Sequence, residues 1–155
     1  MKTIKYLSAI IILIIVGCGE KHFYEEYQEI PGNVWQADKP VVFTVNIDDA
    51  DAYYDISLNI RHAYNYQYKN LWLFIKTISS DGKARQDSLN CILADGQTWN
   101  GSCLGDICDL EVPFGDSVKF AAPGTYTFEI YQGLRAEQLP FISEIGLIID
   151  KSEAK

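Results

Sequence analysis

Hydrophobic side chains recur at every second position through most of this chain. Tyr54, Ile56, Leu58 and Ile60 alternate with Asp55, Ser57, Asn59 and Arg61, the period of a strand with one dry face and one wet face. Val41 to Ile47 alternates in the same way and is rich in β-branched residues, which suit a pleated, half-buried surface. Tyr126, Phe128 and Ile130 share one side of a later segment, and Ile145, Leu147 and Ile149 one side of the last. Arg85 to Leu93 alternates less cleanly. Asn70 to Ile78 is apolar at nearly every position, the pattern of a strand covered on both faces. Ile107 to Val112 reads as a short strand stopped by Pro113, because proline cannot donate to a ladder. Turn signals fall between these runs: Pro31-Gly32-Asn33, an acidic turn over Asp48–Asp51, Asp81-Gly82, Asp95-Gly96 and Pro123-Gly124. No stretch has the longer period of an amphipathic helix. Several short strands at regular spacing predict an all-β fold, an antiparallel β-sandwich of jelly-roll type.

The first residues follow another rule. Met1 to Lys5 carries two lysines, Tyr6 to Val16 is apolar apart from Ser8, and the run ends in Ile15-Val16-Gly17-Cys18. A basic start and an apolar run too short to span a bilayer make a signal peptide. An aliphatic residue three places before a cysteine and a small residue just before it make the lipoprotein form of that signal. Residues 1–17 are therefore expected to be removed and Cys18 to carry the acyl chains, with two or more chains giving stable membrane attachment. Residues 18–36 read as the lipidated cysteine and an acidic tether, whose aromatic residues suggest that its later part packs against the domain, and 37–155 as the sandwich domain.

The chain has a net charge of −8, and loss of Lys2 and Lys5 with the leader would make the remainder more acidic still. Such a surface repels phosphate backbones, which argues against nucleic acid. Three cysteines remain after Cys18. Cys91 sits in an apolar strand pattern, while Cys103 and Cys108 would close a small loop. An exported setting permits a disulfide, and an odd count leaves a thiol over, so the pairing stays open. With two histidines and no Cys-x-x-Cys, nothing suggests a metal site, and no motif suggests a cofactor.

Tyr64, Tyr66 and Tyr68 lie at spacing two in the connection after residue 61, and in an extended segment they would share one side. Together with Trp35 and Trp99 they are the candidate interaction surface. One reading makes them cover for the edge of the core; the other makes them an exposed platform for a partner, with stacking on a glycan as the alternative ligand. Catalytic signatures are missing: there is no Gly-x-Ser-x-Gly, no phosphate loop, and no carboxylate pair that stands out in so acidic a chain. The chain reads as a non-enzyme.

Ordered motifs add a resemblance. The lipobox at Cys18, Phe23/Tyr24 and Trp35, the run Tyr66-x-Tyr-Lys-Asn-Leu-Trp-Leu73, Leu93-Ala-Asp95 with Trp99-x-Gly101, Gly124-x-Tyr-x-Phe128, Gln132-x-x-Arg135 with Leu139, and Ile145-Gly-Leu147 resemble the GldH family of gliding-motility lipoproteins of Bacteroidetes. The resemblance implies a lipid-anchored protein of the outer membrane. It also implies other envelope proteins of the gliding and type IX secretion apparatus as partners. The short run after Cys18 favours the periplasmic face. The lineage further implies O-glycosylation at Asp-Ser followed by an apolar residue, which Ser88 and Ser117 satisfy.

Overall fold

The computed structural model describes residues 22–152. In chain order the strands are β1 (Tyr24–Glu29), β2 (Val34–Gln36), β3 (Val41–Ile47), β4 (Tyr54–Ala63), β5 (Asn70–Ile78), β6 (Ala84–Ile92), β7 (Ala94–Asp95), β8 (Thr98–Trp99), β9 (Ser102–Leu104), β10 (Ile107–Val118), β11 (Gly124–Gln132), β12 (Gln138–Pro140) and β13 (Ile142–Lys151). One sheet has the order β1-β13-β4-β10-β9 and the other β3-β11-β5-β6. Every pairing is antiparallel. Counting only the eight long strands in chain order, the sheets run first-eighth-third-sixth and second-seventh-fourth-fifth. That is the strand order of a jelly roll.

Period-two patterning builds the two inner faces. β3 and β4 alternate buried and open positions along their whole length. Phe43, Ile47, Leu73, Ile75, Phe128 and Ile130 from one sheet meet Tyr54, Leu58, Ile60, Ile145, Leu147 and Ile149 from the other in one core. Each fully buried side chain of this size contributes about 1.5–3 kcal/mol. On the wet face of the first sheet, Arg61 reaches Asp109 on β10 at 2.8 Å and Glu144 on β13 at 2.7 Å. The three residues stand opposite one another across three strands.

Three expectations are corrected. The sandwich begins at Tyr24 rather than at residue 37. β1 pairs with β13 from Tyr24↔Ile149 to Glu29↔Glu144, and β2 pairs with β12. Phe23 packs on Tyr54 with ring centroids 5.2 Å apart. Glutamates between the aromatic residues gave this segment the composition of a linker, but they sit on an exposed edge strand. Second, β5 is covered on one face only: Trp72 is 40% exposed and Phe74 41%. Among the described residues no third layer covers β5. Its outward rings instead form a stripe with their cross-strand neighbours, Phe74 standing opposite Tyr131. Third, β10 continues through Pro113. The ladder with β4 shifts register between Pro113 and Gly115 and again before Val118, and a bulge is where a strand tolerates a missing donor.

Candidate docking surface at the disulfide end

β4 ends in a tight turn rather than an extended connection. The N–H of Tyr66 donates to the carbonyl of Ala63 at 3.0 Å, which reverses the chain and breaks the spacing-two geometry. Tyr66 turns inward and is buried, while Tyr64 and Tyr68 remain 54% and 43% exposed. The three tyrosines therefore do not share a side. Trp35 is also in the core, 2% exposed, with its indole N–H donating to the carbonyl of Lys39 at 2.9 Å. The open row of five rings that the platform reading requires does not form.

What forms instead is a nest around His62. Its imidazole lies 4.6 Å from Trp99 and 5.7 Å from Tyr66, centroid to centroid. Tyr64 rests on Trp99 and Tyr68 on Tyr66. The short β7–β8 hairpin delivers Trp99, whose indole N–H donates to the carbonyl of Tyr64 at 3.1 Å. His62 is fully buried. Its Nδ1 contacts the carbonyl of Ala63 at 2.9 Å, so that nitrogen carries the hydrogen, and Nε2 has no partner among the described residues. Burial lowers the histidine pKa below its ordinary value, so the ring is neutral at pH 7.

Beside this nest stands a rigid tip. β9 and the start of β10 form a hairpin in which Cys103 faces Cys108, and the two are joined by a disulfide. Cys108 in turn lies opposite His62 on β4. Gly101 lets the hairpin approach: it has φ +82°, and a Cβ there would meet the carbonyl oxygen of Asp109 at 2.1 Å. Gly105 makes the turn at φ +61°. The tip is tied to the tyrosine turn by the N–H of Tyr64, which donates to the carbonyl of Asp106 at 2.7 Å. Leu104 projects from the tip 89% exposed, and Ile107 beside it is open as well. A leucine so exposed on a cross-linked hairpin is an apolar knob held in one place, flanked by Tyr64 and Ile107.

Sequence reasoning missed Leu104 and Ile107. They flank Gly105 and Asp106 between two cysteines, but their exposure follows from the β9–β10 pairing rather than from that spacing. The remaining candidates scatter. Cys91 is buried, and desolvation pushes its thiol pKa up to about 12, which leaves it unreactive. Ser88 is exposed on β6 opposite Phe74. Ser117 is exposed in the β10 bulge at φ +52°, its N–H donating to Asp55 at 2.8 Å. Cys18 and the leader lie outside the described residues.

The described residues form a jelly-roll sandwich with a cross-linked apolar tip, and comparison with known proteins places the chain in a family. A family model described as GldH lipoprotein matches residues 22–149, and the chain belongs to that family. It is similar to the gliding motility lipoprotein GldH homolog of Christiangramia forsetii, 30% identical and covering 92% of this chain and 91% of that one. It is also similar to the gliding motility lipoprotein GldH of Flavobacterium johnsoniae, 28% identical and covering 91% and 92%. Among solved structures, the Yersinia pseudotuberculosis-derived mitogen overlaps 85% of the chain at 9% identity with a TM-score of 0.35, too low to support a conclusion.

Three of the residues that carry the resemblance, Gln132, Leu139 and Trp35, do structural work. Gln132 is buried and clasps its own turn, donating to the carbonyl of Ala136 at 2.6 Å and accepting from the N–H of Leu134 at 2.8 Å. Leu139 stands opposite Trp35, and both are buried.

Proposed function

We propose that this chain is a membrane-anchored, non-catalytic accessory component of a gliding-motility and type IX secretion apparatus. In this reading Cys18 carries the lipid, the sandwich stands on the periplasmic face of the outer membrane, and the Leu104 tip docks an envelope protein. Membership of the family and the names of the relatives support the cellular role. The lipobox supports the anchor. The observation that carries the docking is Leu104 itself, a large apolar side chain left in water on a cross-linked support, where an apolar pocket of a partner would gain its burial. Ser88 and Ser117 are the proposed O-glycan acceptors, and both residues are exposed.

Deleting the gene in its host tests the role. Spreading on agar and secretion of type IX cargo should fail, and wild type but not Cys18→Ala should restore them. Normal spreading and secretion after deletion would overturn it.

A glycan ligand is the second reading, and it moves to a different surface. With Trp35 and Tyr66 in the core, the remaining open rings on a flat face are Trp72 and Phe74, next to Asn90 and Ser88 across the β5–β6 ladder. Loss of glycan-array binding in a Trp72→Ala variant would favour it.

A further inference from the structure

β6 is a long strand with one side unused. It pairs with β5 without a break from Ala84↔Ile78 to Ile92↔Asn70, and among the described residues no strand lies on its other edge. Its phase is fixed at both ends. The N–H of Ser79 donates to the carbonyl of Lys83 at 2.9 Å, and the N–H of Leu93 to that of Lys69 at 2.8 Å. Odd-numbered residues of β6 therefore bond to β5, and the N–H and C=O groups of Ala84, Gln86, Ser88 and Asn90 point out along the open edge. No proline or bulge blunts it. The carbonyl of Ile92 is already taken by the Asn100 side chain at 2.9 Å, which bounds the free stretch.

We propose that this edge pairs with β6 of a second copy of the chain, antiparallel about a two-fold axis at Gln86, joining the two four-stranded sheets into one. The register follows from charge. Arg85 and Asp87 are two residues apart, on the same face, and bridge each other within the strand at 2.9 Å. With the axis at Gln86, each Arg85 stands opposite Asp87 of the other copy, in the closer, non-bonded type of pair. Axes at residue 85 or 87 set a charge against itself, and an axis at 84 sets Arg85 against Lys83. An axis at 88 leaves the charges unmatched. Charged edges ordinarily prevent self-pairing. A plus and a minus two apart instead disfavour the wrong registers and permit one. Beneath β6 a cleft of about 460 Å³ opens between the sheets, lined by Leu89, Phe114, Val118 and Phe120. The cleft is also lined by Arg85, Asp87 and Lys119, so the inward side of the second strand brings its own Arg85 and Asp87 to a mouth that already holds their charge partners. A two-fold contact of this kind uses the same patch on both copies.

The test uses the full chain in its membrane or in detergent. Gln86→Cys, treated with a short bis-maleimide, should give a cross-linked dimer. Asn90→Cys, which this register places opposite residue 82, should not. Cys91 is buried and Cys103 is bridged to Cys108, and the wild-type chain is the control for Cys18. Arg85→Asp should reduce self-association by about tenfold, since two attractive pairs become repulsive. Adding Asp87→Arg to that variant should restore it. Absence of cross-linking at position 86, equal cross-linking at 90, a cross-link only to a different protein, or failure of the charge swap to rescue would each overturn the proposal.

Discussion

The ring of Tyr27 occupies the space where Gly146 has no side chain: a Cβ on Gly146 would sit 2.5 Å from Cδ1 of Tyr27. The two residues are paired across β1 and β13, so this contact fastens the first strand to the last. Gly146→Ala should force the ring off and cost about 1–3 kcal/mol, the usual penalty for overpacking. Thermal unfolding would show it as a fall of several degrees in Tm. Tyr27→Ala in the same chain should recover part of the loss, and an unchanged Tm for Gly146→Ala would show that β1 is not held this way.

The Cys103–Cys108 bridge closes only a short loop, and loop-closure entropy gives it about 2 kcal/mol of stabilisation. Mild reduction, or Cys103→Ser with Cys108→Ser, should lower Tm accordingly and raise hydrogen exchange at residues 102–108. Stability that is indifferent to reductant would contradict a structural bridge.

The two histidines should pull the pH dependence in opposite directions. His22 bonds Asp150 at 2.9 Å, which raises its pKa above 6.5. Its contribution is present below pH 6.5 and is lost as pH rises through the raised value. Burial lowers the pKa of His62, so its contribution is present above pH 6.5 and is lost as pH falls from there through the lowered value. Tm measured from acid to mild alkali should lose its alkaline slope in His22→Ala and part of its acid slope in His62→Phe. An acid limb untouched by His62→Phe would mean that other groups carry it.

Much of the fold was legible because burial on one face writes a period of two, as in 41–47, 54–60 and 126–130. Tyr24–Glu29 was not, because an edge strand in an acidic chain carries charge on most of its positions and its pattern looks like that of a linker. Trp72 and Phe74 misled for the opposite reason. Aromatic residues stabilise a strand through cross-strand neighbours as well as through burial, so an unbroken apolar run does not require a second covering layer. At the docking end, spacing alone could not show that the Tyr66–Ala63 hydrogen bond folds the tyrosine segment into a turn. Nor could it show that Leu104 stands free, since that depends on Gly101 letting β9 lie against β10.

Leu104, exposed on a cross-linked tip, is proposed to engage a protein of the gliding and secretion machinery. The most direct measurement is Leu104→Asp in the full-length lipoprotein, expressed from its own locus, with protein level and Tm checked beside spreading and cargo secretion. Leu104 is 89% exposed and outside the core cluster, so abundance and Tm should stay at wild-type values while spreading or secretion falls. Wild-type spreading and secretion with Leu104→Asp at normal abundance would contradict the account.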